Sequence, residues 1–255
     1  MAGRPYVLAE VAWKNVEITS YEVAVLPWGA TEAHNYHLPY GTDTLESEAV
    51  AAEACRLAWS RGARVIMLPA VPYGVQSGQL DIPLCLHMSS ASQAALLNDL
   101  ANSLERHGIR KLVILNGHGG NDFRPMVREL QAKVDMFICT LNWYSCVDPG
   151  AYFDQPGDHA GELETSVMLH LAPELTLSLE EAGDGSERKY QIDALREGWA
   201  WAPRRWTQVS KDTGVGDPRG ASADKGEKFF GAVADRIAGF LRDLSAADPD
   251  QMYER

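Results

Sequence analysis

Residues 110–121 read RKLVILNGHGGN, and this stretch decides the fold. Its first half is a short run of branched apolar residues, the length of a buried strand. Its second half follows without a break as a polar, glycine-rich turn carrying His118. In open α/β sheets, ligands gather at the carboxyl ends of the strands, so a polar turn at that point marks a place to look for chemistry. Outward from this stretch, residues 22–27 (EVAVLP), 64–71 (RVIMLPAV) and 136–143 (MFICTLNW) have the same strand character. Between them, 44–59, 89–107 and 122–133 read as amphipathic helices, the second capped by Ser89 or Ser90 and ended near Gly108. The alternation predicts an α/β protein with a mostly parallel central sheet and helices on both faces. A further helix over 162–171 is stopped by Pro173. Residues from about 180 to 222, rich in Gly, Pro and Trp, read as a long ordered excursion. A last helix over 223–244 places Phe229, Phe230, Val233, Ile237, Phe240 and Leu241 at apolar positions. No repeat or linker divides residues 1–255, which are taken as one domain.

The 255 residues carry a formal charge of -12, with 45% hydrophobic and 23% charged residues. That field repels phosphate backbones and anionic lipid, so nucleic acid and membrane surfaces are not expected partners. No run approaches the ~20 apolar residues of a membrane span, and the cytoplasm is the default location. Cys55, Cys85, Cys139 and Cys146 stand alone without a CxxC pair and read as reduced thiols, Cys55 and Cys139 in apolar stretches.

Three loops concentrate the reactive side chains: WGATEAHNYHLPYGTD after the first strand, YGVQSGQ after the second and NGHGGN after the third. Glu32 and His34 are two apart, so an extended chain presents both on one face. Asp43 opens the first helix, where it could equally be an N-cap. His118 sits among glycines that permit an unusual backbone path, or that could form an anion nest. His159 and Glu162, in GDHAGELETS, stand at the entrance to another helix; Glu162 and Glu164 could also be first-turn acids favoured by the helix dipole. Carboxylates mixed with imidazoles suit divalent zinc, manganese or iron, and Asp43 is the candidate to bridge two ions. There is no G-x-S-x-G elbow, no GxGxxG opening a helix and no phosphate-loop Lys, which argues against serine-hydrolase and nucleotide-binding readings.

The segments PWGATEAHNYHLPYGTD (27–43), NGHGGN (116–121) and HAGELETS (159–166), with a weaker tail TGVGDPRGASADKGE (213–227), resemble the creatininase family. The resemblance implies a three-layer α/β fold, a homo-oligomer of hexameric size and two divalent metal ions, zinc foremost. It implies Glu32, His34, Asp43 and His118 as ligands, with Asp43 shared. The family's creatininase has a glutamate ligand two residues after the NGH histidine, where this chain has Gly120; Glu162 is expected to fill that place, with Glu164 on the far side of the helix. Asp158 and His159 match a Glu-His pair and are the expected proton-handling residues. Ser77 matches a serine after the second strand, and Tyr144 lies in NWYSC, aligned with a region that supplies an aromatic wall. Gln155 replaces a tryptophan that packs on creatinine. The implied activity is hydrolysis of the C–N bond of a small amide, cyclic amide or formamide; relatives with these motifs also include peptidases of cofactor maturation, and a binding protein without activity is the remaining alternative.

Overall fold

The computed structural model describes residues 3–254. After a one-turn helix α1 (Trp13–Val16), the chain forms β1 (Val23–Trp28), α2 (Thr42–Ser60), β2 (Val65–Met67), α3 (Ser90–Arg106), β3 (Lys111–Asn116), α4 (Arg124–Gln131) and β4 (Phe137–Asn142). Then come α5 (Glu162–Leu171), two one-turn helices, α6 (Asp193–Arg196) and α7 (Trp206–Val209), and the long closing helix α8 (Ala223–Ala246). The four strands form a sheet in the order β2-β1-β3-β4, parallel throughout.

Strand alternation divides the core. Val23, Val25, Val65, Met67, Val113 and Leu115 face one way and pack under α2, α5 and α8. Ala24, Leu26, Ile66, Leu112, Ile114 and Ile138 face the other way, against Leu97 and Ala101 of α3 and Met126 and Leu130 of α4. Strands covered on both faces carry no polar alternation, which is why they read as continuous apolar runs. This is the α/β three-layer arrangement the sequence predicts.

The helix ends follow local chemistry. Ser89 caps α3 by accepting from Ser92 N at 3.2 Å, and Gly108 leaves it with a φ of +77°. Gly41 is the N-cap of α2, so Asp43 lies inside the first turn and its carboxylate is not needed as a cap. In α8, Phe229, Val233, Ile237 and Leu241 are buried as expected, whereas Phe240 is partly exposed, being on the flank of the buried stripe. The four cysteines are free; Cys55 is buried and Cys139 half-buried against the core. His107 caps the end of α3 at the surface, and His170 lies in the last turn of α5 beside Phe230. Among the described residues no helix is long and apolar enough to cross a membrane.

The excursion is tied down at its base. Asn35 accepts from Gly183 N at 2.8 Å and donates to Gly183 O at 3.2 Å. The buried Asp212 accepts from Gly185 N at 3.0 Å and Gly214 N at 2.9 Å. Val215 and His159 exchange backbone hydrogen bonds of 2.8 and 3.1 Å, so the 213–220 tail clamps the segment leading into α5.

A candidate metal centre at the carboxyl ends of the strands

The loop after β1, the first turn of α2, the loop after β3 and the entry to α5 converge above the carboxyl edge of the sheet. Glu32, His34, Asp43, His118 and His159 are all buried there. His34 Nε2 lies 3.0 Å from Asp43 Oδ1. His118 Nδ1 lies 2.8 Å from Glu32 Oε1 and 3.2 Å from Asp43 Oδ2. His159 stacks on His34 with ring centroids 4.2 Å apart, and its Nδ1 is 3.9 Å from Glu32 Oε1.

Each imidazole is oriented by a backbone carbonyl on its other nitrogen. His34 Nδ1 is 3.1 Å from Glu32 O, His118 Nε2 is 3.0 Å from Val75 O, and His159 Nε2 is 2.9 Å from Ala33 O. In a neutral ring, a nitrogen donating to a carbonyl leaves its lone pair on the opposite nitrogen, and in all three rings that opposite nitrogen faces the carboxylates. Close packing of backbone makes this possible. A Cβ on Gly120 would lie 2.3 Å from Val75 O and 2.4 Å from His118 Nε2, so the NGHGGN loop can hold His118 here only if Gly120 has no side chain. A Cβ on Gly117 would strike Ser47 Oγ at 2.1 Å.

The donors form three overlapping groups with ligand atoms within 4.8 Å of one another: Glu32–Asp43–His118, His34–Asp43–Glu164 and Glu32–His34–His159. Glu32, His34 and Asp43 each belong to two of them, and Asp43 is the member shared by the first two. Without an ion, the imidazoles do a cation's work. Burial disfavours a charged His34 ring, but the Asp43 carboxylate outweighs it and raises the His34 pKa. Burial likewise disfavours a charged His118, and Glu32 and Asp43 together raise it well above the ordinary imidazole range. Asp43 is held below the usual carboxylate range: burial opposes ionisation, and the His34 and His118 rings overcome it. Even so, Asp43 Oδ2 has no well-formed hydrogen bond. A divalent cation would take the place of the ring protons and satisfy Asp43 Oδ2; the donor set fits such an ion.

Two expectations change. The Glu162 carboxylate is turned away from this cluster: it pairs with Lys225 of α8 and accepts from Gln155 N at 2.8 Å. Glu164 is the acid that reaches the cluster. The inference from helical spacing between His159 and Glu162 fails because the helix begins only at Glu162, after Gly161 in an extended conformation and Ala160 at a φ of +50°. Glu164 accepts a hydrogen bond from Ala160 N, which aims it back over the turn. Asp158 also differs: its carboxylate pairs with Arg204 from the excursion instead of with His159.

Ser77 and Tyr144 line the cavity of about 1170 Å³ that opens above the cluster, together with Asp158 and His159. Ser77 is exposed at the start of a 3₁₀ turn, Ser77–Gln79. Tyr144 is half-buried, and burial is the main cause that pushes its hydroxyl up to about 12. Three residues had no assigned part. Gln79 donates to Glu32 Oε2 from within YGVQSGQ. Trp206 lays its ring 4.7 Å from that of His159; the only sequence signal was the tryptophan content of the excursion. Glu46, one turn after Asp43, is fully buried with both oxygens lacking a donor. His37 lies outside the cavity lining, bonded through Nε2 to Thr165 Oγ1 at 2.9 Å; burial first, then the charge of His34, lowers its pKa to about 4.

The family described as creatinine amidohydrolase matches residues 9–241. The chain belongs to the creatininase family. It is therefore a hydrolase of carbon–nitrogen bonds. A crystal structure of a Bacteroides fragilis protein, provisionally named a creatinine amidohydrolase, superposes with a TM-score of 0.92 at 44% identity, covering 98% of this chain and 99% of that one. A mycofactocin precursor peptide peptidase from Mycobacterium tuberculosis is 31% identical over 221 residues, 83% of this chain and 81% of that protein. A creatininase variant in a Zn–Zn form is 25% identical with a TM-score of 0.78, covering 96% of this chain and all 100% of that one. Creatininase-family members thus carry divalent metal, and this member presents buried donor groups suited to it.

Proposed function

We propose that this creatininase-family member hydrolyses the C–N bond of a small amide, cyclic amide or formamide, using two divalent ions held by Glu32, Asp43 and His118 on one side and His34, Asp43 and Glu164 on the other. The observation that carries this reading is the membership of Asp43 in both donor groups. When bound, such ions supply Lewis-acid activation of water and of the scissile carbonyl. The chain's own residues do the rest. The carbonyls of Glu32, Ala33 and Val75 hold the imidazoles in the tautomers that face the cluster. Gln79 donates to Glu32 Oε2 and leaves Oε1 facing the His118 ring, 2.8 Å from its Nδ1. Trp206 packs against the buried His159 ring.

His159 handles the proton. Both three-residue groups that contain Asp43 are complete without it, and His159 lines the cavity with its Nδ1 3.9 Å from Glu32 Oε1. From there the Nδ1 lone pair would take up the proton released by the attacking water and pass it to the departing nitrogen, the step that makes an amine a leaving group. Asp158, engaged by Arg204, orients the wall and not the proton donor.

A second reading, hydrolysis of a short or modified peptide, is favoured by the cavity: about 1170 Å³ is roomier than a creatinine-sized ligand needs. Metal analysis of protein purified without chelator, followed by a panel of creatinine, N-formyl amines, lactams and dipeptides, tests both. About two ions per chain and turnover abolished by chelation are expected. Full activity in verified metal-free protein would overturn the reaction.

A further inference from the structure

The cavity has two chemically opposite ends. Its floor holds the acids Glu32, Asp43 and Glu164; its wall is built from the excursion and contributes Arg188, Lys189, Arg196, Arg204 and Arg205. Away from the floor only Asp158 and Glu187 oppose these five cations inside the cavity. In a chain with a net charge of -12, that concentration of positive charge runs against the composition.

The cations fall into two sets. Arg204 is spoken for by Asp158, lies 3.8 Å from Glu187 Oε1 and stacks over Trp206 at 5.5 Å. Arg196 pairs with Asp193 and donates to the carbonyls of Tyr190 and Gln191 at 3.2 and 3.0 Å. These two hold the wall together. Arg188, Lys189 and Arg205 form no side-chain hydrogen bond or ion pair among the described residues. They are exposed cations on the lining of a catalytic cavity, with nothing of the chain's own to neutralise them. Divalent ions would compensate the floor, and the wall would then be left as the uncompensated charge. Trp206 joins the two ends, touching His159 on one side and Arg204 on the other.

We propose that the substrate carries an anionic group, carboxylate or phosphate, several bonds from the amide that is cleaved, and that Arg188, Lys189 and Arg205 receive it while Trp206 spans the intervening atoms. This rests on the floor being the place where the amide is cleaved. Guanidinium groups suit both anions through paired N–H donors, and the ammonium of Lys189 adds a point charge. A neutral lactam would leave the three cations unused.

The test uses the metal-loaded full chain and three probes: N-formyl-β-alanine, the N-formyl derivative of 2-aminoethyl phosphate, and neutral N-formylpropylamine. Binding is read by calorimetry and hydrolysis by initial rates. At least one anionic probe should bind about tenfold to hundredfold more tightly than the neutral one. Which of the two does so separates carboxylate from phosphate. Arg188→Gln, Lys189→Gln and Arg205→Gln together should erase that preference while metal content stays the same. Added salt should erode it in the parent protein, because exposed charges are screened. Equal binding of all three probes, or a preference that survives in the triple variant, would overturn the proposal. Anion-selective binding without cleavage would instead overturn formamide hydrolysis as the reaction of the floor. Cleavage of all three with equal kcat/KM would overturn the anionic substrate and leave that reaction standing.

Discussion

The floor and the wall of the cavity are made by different means. On the floor, side chains from the loop after β1, from α2, from the loop after β3 and from α5 are buried and pinned, each imidazole by a carbonyl. The wall comes from one contiguous excursion with two one-turn helices, α6 and α7, and exposed Trp199 and Trp201. The floor is tied to the sheet and so to the stability of the whole domain. The wall is tied to it through a few contacts at its base, chiefly those of Asn35 with Gly183 and Thr213 and the backbone pairing of Val215 with His159. Chemistry that must not vary sits on the rigid part, and recognition on the part that can change without unfolding the sheet.

The largest test breaks the floor itself. Asp43→Ala removes the carboxylate common to two donor groups and should lower both metal content and turnover, the latter by about 10³-fold or more, since Lewis-acid activation supplies several kcal/mol. Glu164→Gln should weaken one ion. Glu162→Gln should keep both, because that carboxylate serves Lys225 and Gln155. Elemental analysis of the three variants decides it; loss of metal in Glu162→Gln with full retention in Glu164→Gln would reverse the assignment.

Much of this was legible in the sequence, and the exceptions have physical causes. The four strands stand out because burial on both faces demands apolar runs, and Glu32, His34, Asp43 and His118 stand out because they follow strand ends. The error at Glu162 came from extending helical geometry across Ala160 and Gly161, whose backbone is not helical. Composition cannot reveal one left-handed residue, although HAGELETS contains both acids. Gln79, Trp206 and the pairing of Asp158 with Arg204 depend on how the excursion folds back. That path is set by contacts between residues as far apart as Asn35 and Gly183, which local patterns do not encode.

His159 marks the boundary between the two regions. His159→Ala should reduce turnover by about 10²–10⁴-fold with metal retained, the range for a lost general acid. A fall in metal content with it would make His159 a ligand through the Glu32–His34–His159 group.

Metal loading provides a third, graded test. His34 and His118 hold protons in the metal-free protein because Asp43 and Glu32 raise their pKa values above the usual imidazole range. Ions must displace those protons, so apparent affinity should rise with pH by about tenfold per unit for each proton released. Calorimetry in buffers of different ionisation enthalpy would count them. Affinity independent of pH between 6 and 8 would show that the rings are already neutral.

The smallest effect concerns Glu46, and it separates a feature of the floor from anything on the wall. Burial is the main cause that raises its pKa well above the ordinary carboxyl value of 4.5, with Glu164 and Asp43 adding to it. In the metal-free protein the folded chain keeps this proton where the unfolded chain, near 4.5, has lost it. The folded state then binds more protons, so stability falls as pH rises above 4.5 and continues to fall until the raised pKa is reached. The slope contributed by one such group is at most about 1.4 kcal/mol per pH unit. Glu46→Gln preserves the shape of the protonated acid and removes the linkage. Its melting temperature should match the parent's near pH 4.5 and exceed it increasingly towards pH 8, with both proteins stripped of metal. Arg188→Gln on the wall should instead shift stability by no more than about 0.5 kcal/mol at any pH, as exposed substitutions do. A Glu46→Gln difference that stays flat across the pH range would mean that this carboxyl is not the group holding the proton, and the buried charge would have to be compensated by a rearrangement of its neighbours.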